Sequence, residues 1–443
     1  MAPRTFGHRH DERVSSPSPA FARKLRTPDA ALIGIGSMIG AGVFSVLGPA
    51  ASAAGTGLLV GLLIAGVIAY CNAVASAQLA MVYPTSGGTY IYGREQLGPW
   101  WGFGAGWCFV IGKTASCAAM ALTVATYALP GHDLAARGIA VVCVIALAGL
   151  NYRGVTKTAW VTRVLVSLTL VALATIVAAA ILGGQSSGSL SSGFGEGGIY
   201  GTLQAAGLMF FAFAGYARIA TMGEEVVNPA RTIPRAITIA LAVTFVIYVV
   251  IAAVALAVAG PAVLAASSAP LVDVVDAAGA AWAEPVVRVG AVVAGLGALL
   301  GLIAGVGRTT LAMARHHDLP AWLSAVHPRF AVPHRAELAL AAVVCLLVMT
   351  VDLRGAIGFS SFGVLVYYFI ANVSAFTQSA SQRVWPRAVN VLGAIGCLVL
   401  VATLPKESAL VGSAVLGVGL AGRLVVTRLS RQRRGRSLRQ VPR

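Results

Sequence analysis

The run Ile35-Gly36-Ser37-Met38-Ile39-Gly40-Ala41-Gly42-Val43-Phe44 sets three glycines in the middle of an apolar segment. A second run, Phe210-Phe211-Ala212-Phe213-Ala214-Gly215-Tyr216-Ala217-Arg218-Ile219, sets Gly215 in the middle of another, at the matching position in the second half of the chain. In a bilayer a helix satisfies its own backbone, so an unwound stretch survives only where protein buries it or where it lines a cavity. Paired helices interrupted at mid-span are the best sequence pointer to a membrane carrier's substrate site. A pair of glycine-kinked packing helices would leave the same trace, and the glycines alone keep both readings open.

The rest of the chain supplies the membrane context. Of 443 residues, 58% are hydrophobic and only 11% charged, with a mean hydropathy of +0.83. Soluble domains carry about 25% charged residues, so this composition excludes a soluble protein and defines an all-α integral membrane protein. The six cysteines all fall in apolar segments without a CxxC pair. They read as small buried hydrophobes rather than a metal or redox site. No cofactor motif is present.

Hydropathy marks about twelve spans, near 29–53, 56–82, 100–129, 135–151, 159–183, 199–225, 235–259, 286–313, 334–351, 356–379, 387–404 and 408–427. Each is long enough for a hydrocarbon core of about 30 Å at about 1.5 Å per residue. Arg and Lys collect in the two tails and in alternate short loops, while 184–198 and 260–285 carry neither. That bias puts both termini in the cytoplasm. It also accounts for the net charge of +17 without nucleic acid, and it sets the basic C-terminal tail, 428–443, beside anionic lipid headgroups. Residues 1–28 read as a disordered cytoplasmic tail. The Gly/Ser-rich stretch from Gly183 to Gly198 separates a first unit, 29–183, from a second, 199–379, with two trailing helices in 387–427. Interrupted spans one and six then occupy equivalent places, as in a five-plus-five inverted repeat. In span eight, Gly297, Gly301 and Gly305 recur every fourth residue, a spacing that suits close approach of a neighbouring helix.

The chemistry follows from the interruptions. Opening the helix at Gly36–Gly42 frees backbone groups, and the half-helix beyond it turns its positive end towards the gap, where a carboxylate is stabilised. Carbonyls and aromatics around Ala214-Gly215 suit an ammonium group and a side chain. A free α-amino acid carries both charges on one carbon.

Four motifs resemble the amino acid–polyamine–organocation permeases. They are Gly36-Ser37-Met38-Ile39-Gly40-Ala41-Gly42-Val43-Phe44; Tyr83-Pro84-Thr85-Ser86-Gly87-Gly88-Thr89-Tyr90-Ile91-Tyr92; Gly223-Glu224-Glu225-Val226-Val227-Asn228-Pro229 with Ile233-Pro234-Arg235-Ala236-Ile237; and Ala312-Met313-Ala314-Arg315 with Leu319-Pro320 and His327-Pro328-Arg329-Phe330. They occur in family order over roughly 29–380. The resemblance implies an alternating-access amino acid transporter of the cytoplasmic membrane. It implies that Ser37, Met38, Gly40, Ala41 and Gly42 hold the carboxylate and amine of the substrate. Phe210, Phe213, Ala214, Gly215 and Tyr216 would form the opposing wall and an aromatic gate. The serine-glycine-glycine segment would border the cytoplasmic exit.

Departures from the family pattern bear on cargo and coupling. Where many relatives carry an acidic residue in helix six, this chain has Ala217 followed by Arg218. Neutral or acidic amino acids are therefore expected over basic ones, with a polyamine or basic amino acid permease as the alternative. Thr169 stands where many relatives carry a lysine in helix five, and Val286 to Arg308 contains no Ser or Thr to bind sodium. Lys113 lies twelve residues past Trp101, about 18 Å along a helix. A charge at that depth costs about 2.5–3.5 kcal/mol on insertion scales and is functional by default. Lys113, Thr169 and Arg218 are thus the coupling candidates, with proton symport or exchange as the expected modes. Snorkelling of Lys113 and a structural role for Arg218 are the competing readings. His316 and His317 read as solvated loop residues rather than a metal site. No nucleophile–base pair, HExxH or nucleotide loop suggests an enzyme. A non-transporting amino acid sensor is the remaining rival.

Overall fold

The computed structural model describes residues 25–439 apart from 41, 85–86, 155–158, 184–196, 221 and 223–224, with side chains described as far as residue 428. Residues 1–24 of the expected tail 1–28, residues 184–196 of the glycine-serine loop and the motif residues Ala41, Thr85, Ser86, Gly223 and Glu224 therefore lie outside the described residues, while Thr27 and Pro28 of that tail already belong to the first helix.

Among the described residues the elements are helical, apart from one isolated parallel bridge between Leu25 and Val226. Ten helices are long and apolar enough to cross a membrane. Among the described residues Arg387–Thr403 (α17) is a shorter apolar helix of 17 residues, and His334–Thr350 (α15), also of 17, falls below the length of those ten. The first interrupted segment gives α1 (Thr27–Met38), α2 (Gly42–Ser45) and α3 (Leu47–Ala54). The second gives α9 (Gly198–Phe213), a 3-10 turn at Ala214–Tyr216, and α10 (Ala217–Ala220). Both helix ends fall inside the glycine stretches quoted above.

Between them run α4 (Leu58–Val82), α5 (Thr89–Leu97), α6 (Pro99–Ala128), α7 (Asp133–Tyr152) and α8 (Ala159–Gly183). After them come α11 (Pro229–Val258), α12 (Gly260–Ala266), α13 (Pro270–Ala277), α14 (Glu284–Arg315), α16 (Leu353–Phe376) and α18 (Lys406–Arg439). The central span is α6, with 89% of its apolar window buried, against 22% for α7 and 11% for α18. Helices α14 and α16 pack along α6, where Gly112 meets Gly363 closely enough that a Cβ at either position would touch the other helix's backbone at about 3 Å. The outer helices turn Val142, Ile145, Leu346, Ile395 and Val418 outwards, as a lipid-facing surface requires.

Two polar clusters tie the ends of the bundle. At one end Tyr127 donates to Phe44 O at 2.8 Å and accepts from Leu271 N at 3.4 Å. Arg288, paired with Glu284 at 2.6 Å, donates to Tyr127 O at 3.1 Å. The segment 260–285, which sequence suggested only as an outer loop without Lys or Arg, thus folds as α12 and α13 over the interrupted α1–α3. At the other end Asp318, with a side chain 5% exposed, binds Arg94 at 3.1 Å and Arg423 at 2.9 Å. Tyr90 donates to the same carboxylate at 2.8 Å, and the Arg423 guanidinium lies over the rings of Trp100 and Phe103. Asp318 therefore joins α5, the end of α14 and α18 in one buried network, while neighbouring His316 and His317 are exposed.

A buried ion pair contributes little against an apolar pair but costs about 3–5 kcal/mol when one partner is removed. Asp318→Ala should therefore lower the thermal unfolding midpoint of the detergent-purified protein by several degrees. Arg423→Gln should do the same, and the double variant should lose less than the sum of the two. An unchanged midpoint for Asp318→Ala would contradict this role.

Candidate substrate site between the interrupted helices

The two interruptions touch. A Cβ added to Gly215 would sit 2.3 Å from Ser37 O and 2.6 Å from Met38 N. One added to Gly42 would meet Ala212 Cα at 3.0 Å. The backbones approach where no side chain fits between them, which is why glycine is required there. The carbonyls released by the breaks are met from neighbouring spans. Lys113, 6% exposed, donates from α6 to Ala214 O at 3.2 Å. The Tyr248 hydroxyl of α11 lies 2.5 Å from Met38 O and 3.1 Å from Ala212 O.

A cavity of about 460 Å³ opens between these breaks, α6, α8 and α14. That is the size of a small-molecule pocket. Near the breaks its wall is formed by Met38, Phe109, Lys113, Ser116, Met120 and Phe211. It then follows α14 from Gly297 to Arg308, eleven residues or about 16 Å, and ends among Leu25, Met222, Glu225 and Arg308. Gly301 and Gly305 line it, and a Cβ at Gly301 would meet nothing within 4 Å. The glycine stripe of α14 therefore faces the cavity rather than a close-packed helix, a correction to the spacing argument: periodicity puts small residues on one face without saying what lies opposite.

Of the expected site residues, Ser37, Met38, Gly40, Gly42, Ala214, Gly215, Lys113, Thr169 and Arg218 line the cavity. Ala41 lies outside the described residues. Phe210, Phe213 and Tyr216 do not line it. Phe210 and Tyr216 pack on Tyr368, with ring centroids 5.8 and 5.0 Å apart, and Phe213 packs on Tyr248 at 5.1 Å. The aromatic that reaches the cavity from this segment is Phe211. Thr169 keeps its hydroxyl on Leu165 O at 2.9 Å within its own helix, and Ser37 likewise donates to Ile33 O at 2.8 Å. Residues not anticipated are Tyr248, Met120 and Asn151, whose amide donates to Leu300 O at 3.1 Å. An asparagine closing an apolar span was a usable signal for the last; nothing in the sequence marked the other two.

Charge on the described lining is uneven. Lys113, Arg218 and Arg308 face a single carboxylate, Glu225, which pairs with Arg308 at 3.4 Å. Arg218 Nη1 lies 3.9 Å from where a Cβ of Gly305 would be, which puts the guanidinium against the α14 wall.

A many-helix membrane protein with an internal, largely apolar cavity floored by two broken helices has the construction of a carrier. The chain belongs to the amino acid permease family, whose model matches residues 25–418. It is 56% identical over 413 residues to an uncharacterized transporter of Mycobacterium tuberculosis, covering 93% of each chain. It is 28% identical to the branched-chain amino acid permease BcaP of Bacillus subtilis over 86% of each chain. It is also 28% identical to cationic amino acid transporter 3 of Arabidopsis thaliana, over 83% of this chain and 63% of the relative. The family and these relatives are transporters and permeases, not enzymes.

The contact at Gly215 sets the first test of the site. Gly215→Ala must push the two backbones apart, because the nearest atoms are main-chain atoms that cannot rotate away. The variant should be made and inserted normally yet lose at least tenfold in uptake. Gly422→Ala, with nothing within 4 Å of the new Cβ, should transport as the unaltered protein does. Normal uptake by Gly215→Ala would remove the cavity from the transport path.

Proposed function

We propose that this protein carries amino acids with uncharged or acidic side chains across the cytoplasmic membrane by alternating access, with proton coupling or exchange. The architecture this reading calls for is twelve spans, 29–183 and 199–379 forming a five-plus-five inverted repeat, and both termini in the cytoplasm. The observation that carries it is the junction of Gly215 with Ser37 and Met38 beside the cavity, with Lys113 held on Ala214 O.

In this reading the substrate carboxylate docks on the backbone N–H groups at the start of Gly42–Ala54, which runs helical apart from a bend at Val46. Such groups need no side chain to bind an anion. The amine is received by carbonyls of the Ala212–Gly215 stretch. Phe109, Met120 and Phe211 then surround the side chain with apolar surface. That lining suits aliphatic cargo, in keeping with the branched-chain permease relative. The plant relatives named for cationic cargo favour the opposite reading, but the lining weighs against it. A cleft in which one sign of charge predominates concentrates ligands of the other sign, and the described lining, with Lys113, Arg218 and Arg308 beside Glu225, disfavours a lysine or arginine side chain.

Competition for uptake of labelled leucine into proteoliposomes tests the cargo. Unlabelled valine, isoleucine or glutamate should displace label more strongly than arginine or putrescine, by tenfold or more. Stronger displacement by arginine would establish the cationic reading instead.

Lys113 serves either as a titrating group or as a fixed cation on the broken helix, and one variant distinguishes these roles. Lys113→Met removes the charge and keeps an unbranched chain. A titrating lysine predicts loss of pH-gradient-driven accumulation with counterflow exchange retained. A fixed cation predicts that both fall while the unaltered protein shows no pH dependence. Unaltered pH-driven uptake by Lys113→Met would eliminate both roles.

A further inference from the structure

Glu337 lies in the first turn of α15, 3% exposed, with Oε2 buried and without a hydrogen-bond partner among the described residues. Its side chain presses on Gly307 of α14: a Cβ there would come 2.8 Å from Glu337 Cγ and 3.5 Å from Oε1. The next residue along α14 is Arg308, which sits at the cavity end and pairs with Glu225. At 3.4 Å that pair is longer than the Arg94–Asp318, Arg163–Asp29, Arg288–Glu284 and Arg423–Asp318 pairs, which span 2.6–3.1 Å. Both its partners are partly exposed, 36% and 27%, so solvent screens the pair and holds it weakly.

A buried carboxyl without a partner can be satisfied in two ways, by keeping a proton or by drawing in a cation. Arg308 is the charged side chain of the packed elements that acts on this one. The other titratable groups around it are histidines and a tyrosine. His334, on the same helix face, has a buried Nδ1 that also lacks a partner among the described residues. Its ring lies 5.5 Å from that of His327 in the preceding loop and 5.9 Å from that of Tyr152 at the end of α7. Arg335 points outward and is exposed, and Arg329 lies over the ring of Phe330.

We propose that Glu337 is a proton-binding site that sets the Arg308–Glu225 pair at the cavity mouth. With Glu337 protonated, Arg308 stays on Glu225, tying α14 to the loop after α10, as in this structure. With Glu337 ionised, its carboxylate draws the guanidinium back along α14, the pair separates, and the mouth widens. Placing this device in a transport cycle rests on the carrier reading above. The device itself is a property of the empty protein.

The test therefore uses no substrate. Thr309→Cys puts a thiol on the cavity lining beside Arg308. Its rate of reaction with a water-soluble maleimide is measured against pH in the full-length, detergent-purified protein, in the Glu337 and Glu337→Gln backgrounds. The ratio of the two cancels the thiol's own ionisation, and the protein without Thr309→Cys corrects for its six cysteines. The ratio should rise several-fold with increasing pH, because only Glu337 can ionise, and Glu337→Asp should keep a step. A flat ratio overturns the proposal. Should Glu337→Gln fail to fold, Arg308→Gln gives the second test: with no cation to move, labelling corrected for thiol ionisation should be high at every pH, and a persisting step overturns the proposal. Uptake measured separately on the same variants tests the carrier reading. Absence of uptake by the protein with Glu337 and Arg308 unaltered, with the labelling step intact, strikes that reading and leaves the proton site standing.

Discussion

The backbone contact of Gly215 with Ser37 and Met38 is the constraint on which the rest of the site depends. Both helices are interrupted at this junction, α1 ending at Met38 and α9 at Phe213, and in a bilayer no water is present to make up the lost backbone hydrogen bonds. The neighbouring spans supply the missing partners: Tyr248 stands against Met38 O and Ala212 O, and Lys113 against Ala214 O. Both side chains are buried and come from different helices, α11 and α6, so the break is held by its surroundings rather than by its own segments. The small pair Gly112 and Gly363 allows α6 to lie close to α16 just where Lys113 must be carried to the centre of the bundle.

This arrangement accounts for a charge that is otherwise expensive. Taking an ammonium group to the middle of a membrane costs free energy unless something there needs it. Carbonyl oxygens freed from a helix provide that need, and a bound cation would satisfy them equally well. Lys113 meets one such carbonyl from a fixed position on the protein. Helix α14 contributes small and apolar residues to most of its cavity wall, and the hydroxyl it does contribute, that of Thr309, donates to Gly305 O at 3.2 Å within its own helix. The same positive charge, with Arg218 and Arg308 along the wall, shapes the field felt by anything entering.

What could be read from the sequence, and what could not, follows from the kind of signal each feature leaves. The helix breaks were legible because glycine and span length act locally, and the structure ends α1 at Met38 and α9 at Phe213, inside the marked runs. Which aromatics face the cavity was not. Sequence reasoning chose Phe210, Phe213 and Tyr216; the cavity wall takes Phe211, and the other three pack on Tyr368 or Tyr248. Phe210, Phe211 and Phe213 all lie in the regular part of α9, where spacing separates their directions without saying which one meets the cavity; for Tyr216 the 3-10 turn at Ala214–Tyr216 also changes the turn per residue. The glycine stripe of α14 shows the same limit, since spacing defines a face but not its neighbour. Tyr248 left no trace at all: a tyrosine in an apolar span looks like packing until the carbonyls it meets are in place.

The two ends of the cavity are built with unequal strength. Beyond the breaks, Tyr127, Phe44 and Leu271 are fully buried and joined by direct hydrogen bonds, with the Arg288–Glu284 pair at 2.6 Å behind them. At the far end the cross-ties are a partly exposed ion pair at 3.4 Å and the bridge between Leu25 and Val226. Opening the first end would expose apolar and aromatic surface and break several buried polar contacts together. Parting α14 from the loop after α10 at the second separates one screened pair, and the Leu25–Val226 bridge need not break for that. Motion at the weaker end is therefore the less costly, and it leaves the Gly215 junction untouched, because α14 and the loop after α10 can part without moving α1 against α9. A carrier needs its two ends to open alternately. The asymmetry places the greater energetic barrier at the Tyr127 end, where several buried polar contacts must break together.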